Sequence, residues 1–172
     1  MKTMMVSLIL LALIGVSIAG HAGAPATVSV EDRQQILDLI SAYSYTYDGK
    51  DIEGYLALFT KECLWEVYAS GASTPMVKAA NKEDLRAVVT QRLAMLQQKS
   101  IQSRHYQTNT MLVARADGQV EGKTLLNLMW QVPGEKPYTV TTGIYLDLFV
   151  KSGGRWRFAK RTFGMDQGEM GK

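Results

Sequence analysis

Apolar residues recur at helical spacing in three stretches of the N-terminal half of the chain and alternate with polar residues through the C-terminal half. In the first stretch Ile36, Leu39, Ile40, Tyr43 and Tyr47 share a face, and Ser29 with Asp32 three residues on fits a capping box, which predicts a helix over Val30 to Tyr47. Asp48-Gly49-Lys50 stops it. Asp51 then caps a short second helix whose apolar face is Ile52, Tyr55, Leu56 and Phe59. Glu62 to Tyr68 alternates as a strand, and Ala69 to Ala80 is a polar excursion with room for a short second strand. A third helix follows the cap residue Asn81 and runs to Gln98, with Leu85, Val88, Val89, Arg92, Leu93 and Leu96 as its buried stripe.

From Ile101 the period changes to two. Turn signals at Ala116-Asp117-Gly118, Pro133-Gly134 and Ser152-Gly153-Gly154 divide the remainder into strands over Ile101 to Arg115, Gln119 to Val132, Tyr138 to Lys151 and Arg155 to Phe163. Helices followed by an antiparallel meander predict an α+β domain, three N-terminal helices packed on a strongly curved, mostly antiparallel sheet with a cavity between them. Within the last strands, Tyr145, Asp147 and Phe149, with Trp156 and Phe158, are expected on the sheet face that no helix covers, where such aromatics would drive formation of a homodimer.

Composition narrows the chemistry. The 172 residues are 47% apolar and 20% charged, a profile suited to one globular domain. The net charge of +3 is scattered with no long basic run, so no nucleic acid partner is expected. One cysteine, Cys63, excludes an intramolecular disulfide, and two histidines, His21 and His105, cannot build a Cys/His zinc site from one chain. Carboxylates, tyrosines and His105 remain to supply any chemistry.

The N-terminus reads as an export signal. Lys2 gives a positive start, Met4 to Ala19 is an apolar run of 16 residues, and Ala22-Gly23-Ala24 fits a signal-peptidase site. The run is shorter than the ~18 residues expected of a spanning helix, and no basic stop-transfer cluster follows, so no stable membrane anchor is expected after cleavage. Residues 1–24 are assigned to the leader and 25–172 to the folded domain, periplasmic or secreted.

The element order, together with the segments Tyr43 to Asp51, Arg104 to Asn109 and Gly154 to Arg161, resembles the SnoaL-like branch of the nuclear transport factor 2-like superfamily. The resemblance covers essentially the whole chain after the leader. It implies a cone-shaped α+β barrel with a deep pocket. The pairing of Asp48 with His105 is most similar to scytalone dehydratase, hexachlorocyclohexane dehydrochlorinase and bile-acid dehydratase, which implies a His-Asp base dyad for elimination. A second pocket histidine, present in scytalone dehydratase, has no counterpart here. The helix-one lysine of the dehydrochlorinase falls on Tyr43, and its pocket arginine matches Arg161.

The residues have their own reading beside this one. His105 is the only histidine after the leader, and on a regular strand it would share a face with Gln107 and Asn109 before Met111 and Val113 turn that face apolar. A polar patch of that kind suits a pocket wall better than a sealed core. Asp48-Gly49 is also ordinary turn chemistry, but Asp48 continues the helical stripe of Leu37, Ser41 and Ser44, where two small serines leave space. Tyr43, Tyr47 and Tyr68 are either packing residues or phenols that donate to a substrate oxygen. Arg161 would share its face with Arg157, Ala159 and Phe163, where it binds an anionic leaving group or sits in solvent. Cys63 reads as a small apolar core residue. The favoured function is a lyase or isomerase working without metal or organic cofactor, in which His105 removes a proton next to an electron-withdrawing group on a small, apolar, cyclic substrate. The alternatives are a non-catalytic small-molecule binding domain and an interaction module built on the sheet face.

Overall fold

A computed structural model describes residues 27–168; the expected export signal over residues 1–24 lies outside them. Helices α1 (Val30–Asp48) and α2 (Ile52–Ala57) are followed by strands β1 (Phe59–Tyr68) and β2 (Val77–Ala79) and helix α3 (Lys82–Gln98). Four long strands complete the chain: β3 (Gln102–Ala114), β4 (Val120–Gln131), β5 (Tyr138–Ser152) and β6 (Arg155–Met165). They form one six-stranded sheet in the order β2-β1-β6-β5-β4-β3, antiparallel except for the parallel pairing of β1 with β6. The α+β expectation holds, with the sheet open at β2 and β3 and not closed into a barrel. Among the described residues no helix is long and apolar enough to cross a membrane.

The helix boundaries follow from side chains that satisfy the first free backbone N–H groups. The Ser29 hydroxyl accepts from the Asp32 N–H at 3.0 Å and donates to the Asp32 carboxylate at 2.9 Å. Asp51 accepts from the Gly54 N–H, and Asn81 accepts from the N–H groups of Glu83 and Asp84, each at 2.9 Å. Phe59, expected on the second helix, instead opens β1, and it is fully buried in the core.

Two strand bulges overturn expectations about facing. Thr108 pairs with Leu125 and Met111 with Lys123, so Asn109 and Thr110 together oppose Thr124. Asn109 adopts φ of 54°, the left-handed region that asparagine tolerates better than most residues. Alternation restarts one residue late. Thr110 and Leu112 turn inward, while Asn109, Met111 and Val113 face solvent, so Asn109 does not share a pocket face with His105. The second bulge is at Ala159, which stands between the paired positions Phe158–Phe149 and Lys160–Leu148. It brings Trp156, Phe158, Arg161 and Phe163 to the inner face together. Tyr145, Asp147 and Phe149 are buried on that same face under α1, so they do not form the uncovered apolar surface. That surface is carried by Tyr106, Met111, Val113, Leu125 and Leu146, whose cross-strand neighbours place them together on the outer side.

The inner face holds a charged pair. Arg161 is completely buried, its Nε and Nη2 donate to the two carboxylate oxygens of Asp147 at 2.8 and 3.0 Å, and Nη2 also donates to Gln107 Oε1 at 2.9 Å. The rings of Tyr43, Tyr145 and Phe158 lie 4.1, 3.9 and 4.3 Å from the guanidinium carbon. Burial works against the charge, but Asp147 outweighs it and holds the guanidinium pKa above its ordinary value. Asp147→Ala would leave a buried cation unpaired and should cost about 3–5 kcal/mol in urea unfolding. A loss under about 1 kcal/mol, the range of exposed pairs, would show that the pair is hydrated.

Candidate functional site

The last residue of α1 and the first inward residues of β3 build the site. Asp48 Oδ1 accepts from the Ser103 hydroxyl at 2.8 Å and lies 2.7 Å from His105 Nδ1. Oδ2 accepts from the His105 backbone N–H at 2.8 Å. Ser103 and His105 are two apart on a strand, so their side chains meet the carboxylate from one face. The Gln102 side chain donates to the Asp48 carbonyl at 2.9 Å and closes the helix end. Burial pushes the Asp48 carboxyl up, but the ring and N–H of His105 and the Ser103 hydroxyl outweigh it and hold its pKa below the ordinary value. With Nδ1 engaged by the carboxylate, Nε2 is the ring nitrogen left for a substrate proton.

His105 lines a small cavity of about 60 Å³ between sheet and helices, together with Tyr43, Tyr47, Trp65, Arg92, Trp130, Thr141 and Tyr145 among others. Tyr47 and Tyr43 stand edge-on to the imidazole, with ring centroids 4.9 and 5.9 Å away. Burial raises the Tyr47 phenol well above its ordinary pKa, partly offset by the Arg92 guanidinium with which it is hydrogen-bonded. Tyr47 is therefore a proton donor and not a phenolate. Next to this cavity lies an apolar groove of about 320 Å³ between α3, β1 and β2, which shares Tyr47, Trp65, Val67 and Arg92 with it. On the other side of this pair, an open cleft of about 560 Å³ between α1 and the edge strand β3 is lined by both Asp48 and His105. His105 thus lines both the cleft and the cavity.

Of the residues expected at the site, the structure brings Asp48, His105, Tyr43 and Tyr47 together. Gln107 lines the open cleft, and Arg161 lies behind the wall of the cavity. The Gln107 amide donates to the Ile40 carbonyl at 3.0 Å and the Ser44 hydroxyl at 2.7 Å while its oxygen accepts from Arg161, so its polar atoms are all engaged. Arg161 is enclosed by Asp147 and three rings and lines neither the cavity nor the groove. Asn109 is exposed beyond the bulge. Tyr68 is on the outer face, its hydroxyl against the Glu66 carboxylate. Arg92, Trp65, Trp130 and Thr141 were not anticipated as site residues. The signal for Arg92 was present, a cation inside the apolar stripe of α3. Among the described residues no group of three or more His, Cys, Asp or Glu could hold a metal ion.

The family described as SnoaL-like domain matches residues 28–162. No curated protein matches the chain. Among solved structures, ActVI-ORFA from Streptomyces coelicolor superposes with a TM-score of 0.71 at 19% identity, over 80% of this chain and 97% of that one. A candidate scytalone dehydratase from Novosphingobium aromaticivorans gives 0.65 at 18% identity, over 80% and 86%. A nuclear transport factor 2-like protein with a cystatin-like fold from the same organism gives 0.68 at 18%, over 81% and 85%. At these identities the likeness shows the fold.

A carboxyl whose folded pKa is lowered stabilises the protein fully above its unfolded value, near ~3.9, and loses that contribution as pH falls through the folded value. Thermal melts of the parent and of Asp48→Asn should therefore differ at neutral pH and converge below about pH 4. A gap that stays constant down to about pH 2 would mean the carboxylate is not stabilised by these donors.

Proposed function

We propose, for a chain that belongs to the SnoaL-like domain family, that it is a cofactor-independent lyase or isomerase using Asp48 and His105 as a base dyad. The observation that carries this reading is the 2.7 Å contact between His105 Nδ1 and Asp48 Oδ1, with the same imidazole at the wall of the tyrosine-lined cavity. A carboxylate on Nδ1 fixes the tautomer and steadies the imidazolium that forms when Nε2 takes a proton. The proton comes from a carbon beside an electron-withdrawing group. The electron pair of that C–H bond then forms an enolate, for isomerisation, or a C=C bond as a β-substituent leaves with its own pair. Tyr43 and Tyr47, whose phenols line the cavity, would hydrogen-bond the developing negative charge. The binding-only alternative predicts no need for a carboxylate at hydrogen-bonding distance from the histidine, and the short contact favours turnover over it.

The cavity beside His105 is too small for a ring. An apolar cavity of about 150 Å³ is what accommodates benzene, against about 60 Å³ here. A cyclic substrate would place its reacting edge at His105 and its body in the adjoining groove. Deuterium wash-in from heavy water, followed by NMR on cyclic ketones, hydroxylated aromatics and halogenated rings, reads proton abstraction directly. His105→Ala should lower exchange by ~10²- to 10⁴-fold, Asp48→Asn should also be severe, and the double variant should be little worse than His105→Ala. Exchange that survives His105→Ala within about tenfold would rule the dyad mechanism out.

The outer face of the sheet supports a second copy as partner. Met111, Val113, Leu125 and Leu146 are exposed there, and Arg115, Glu121, Lys123 and Lys160 bring both signs of charge to the same surface. A two-fold axis through such a face pairs apolar with apolar and acid with base. Sedimentation should show a dimer at micromolar concentration, and Leu125→Lys with Leu146→Lys should yield a monomer; a parent that is already monomeric removes this partner. The export reading is tested by N-terminal sequencing of the secreted form, expected to begin near Pro25.

A further inference from the structure

The open cleft is built differently from the cavity. β3 is the last strand of the sheet, so one of its edges has no neighbouring strand. The consecutive residues Arg104 to Thr108 line the 560 Å³ cleft along this edge, and α1 faces them with Ser41, Ser44, Tyr45 and Asp48, the spacing of one helical face. A groove with an edge strand on one side and a helix on the other suits an extended peptide that joins the sheet as an added strand.

The backbone of the edge is free where the cleft runs. Along an antiparallel strand, alternate residues turn both N–H and C=O toward the neighbouring strand or both away from it. The His105 N–H meets the Asp48 carboxylate and not β4, so His105 and, two residues on, Gln107 are residues that turn away. Asp48 takes the first of these donors. The C=O of His105 and both backbone groups of Gln107 remain for a partner, and the bulge at Asn109 ends the regular stretch just past Thr108.

Charge selects the segment. Asp48 is compensated by the Ser103 hydroxyl, the His105 N–H and the imidazole. Arg104, exposed on the outer side of β3, donates to the Ser103 carbonyl at 3.0 Å and pairs with no carboxylate among the described residues. On the helix side, Tyr45 is 80% exposed and presents its ring to the same cleft.

We propose that the cleft between α1 and β3 is a peptide-binding groove that takes an extended, acidic segment of another protein as an added strand. A peptide residue opposite Gln107 would exchange two backbone hydrogen bonds with it and turn its side chain, like that of Gln107, toward α1. Its two neighbours would project to the outer side, where Arg104 meets a carboxylate. The inference concerns binding alone and is independent of whether His105 acts as a base.

The probe is fluorescently labelled acetyl-Val-Glu-Val-Glu-Val-amide, whose valines would turn to α1 and whose glutamates would turn to Arg104. Anisotropy should show saturable binding below millimolar concentration. N-methylation of the three valines removes the N–H groups directed at β3 while keeping every side chain, and it should weaken binding at least about tenfold. Glutamine in place of the glutamates should weaken binding about two- to fivefold at low salt, the scale of an exposed ion pair, and Arg104→Gln should abolish that difference. Ser41→Trp, which narrows the groove, should weaken every peptide. In hydrogen exchange, bound peptide should slow the Gln107 amide at least about tenfold and leave that of Tyr106, which is directed at β4, unchanged. No saturable binding at millimolar concentration, equal affinity for the N-methylated peptide, unchanged exchange at Gln107, a glutamate preference that survives Arg104→Gln, or unimpaired binding in Ser41→Trp would each overturn the proposal. Protection of Gln107 that grows with protein concentration without peptide would assign the edge to a second copy of the chain and overturn it as well. If Ser41→Trp does not fold, the changes made in the peptide decide it.

Discussion

The fold around the site depends on one buried carboxylate. Asp48 is the last residue of α1, where the negative end of the helix dipole opposes an anion, and it is nearly inaccessible to water, which opposes it again. Both penalties are offset by donors from two residues of β3, Ser103 and His105. The compensation works in one register only. A slip of β3 by one residue would present Arg104 and Tyr106 to the carboxylate and send His105 outward. The same interaction that makes a buried aspartate tolerable therefore fixes how α1 meets the sheet, and it places the imidazole at the cavity. Gln102 and Gln107 extend this seam along the helix by bonding the carbonyls of Asp48 and Ile40.

Local chemistry was legible in the sequence where it is local in space. Ser29, Asp51 and Asn81 cap the helices they were expected to cap, because a cap involves residues two or three apart. The four long strands fall within about two residues of their expected ends, because glycine turns bound them. Facing was legible only up to each bulge. The extra residues Asn109 and Ala159 are inserted relative to partner strands elsewhere in the chain, and nothing in simple alternation marks them. From Asn109 on, each residue of β3 faces opposite to expectation, and the same shift in β6 moves Arg161 from beside Arg157 to beside Phe158. The contact between Asp48 and His105 was legible because both precede any irregularity in their own elements. The pocket volume was not, since it depends on how α3 closes over β1.

Two acid–base pairs share the inner face and have different work. Asp147–Arg161 is bidentate and stacked on three rings, a geometry that holds shape. Asp48–His105 contains the side chain whose ordinary titration lies in the physiological range. Tyr43 stands between them, with its ring 4.1 Å from the guanidinium carbon of Arg161 and 5.9 Å from the His105 centroid. A base is useful only when held in one position while its proton moves, and its own hydrogen bonds to Asp48 fix one edge of the ring. The Arg161 cluster fixes the tyrosine that bounds the opposite side. The buried pair of Asp147 and Arg161 therefore bears on the cavity at His105 through Tyr43, whose ring it holds in place.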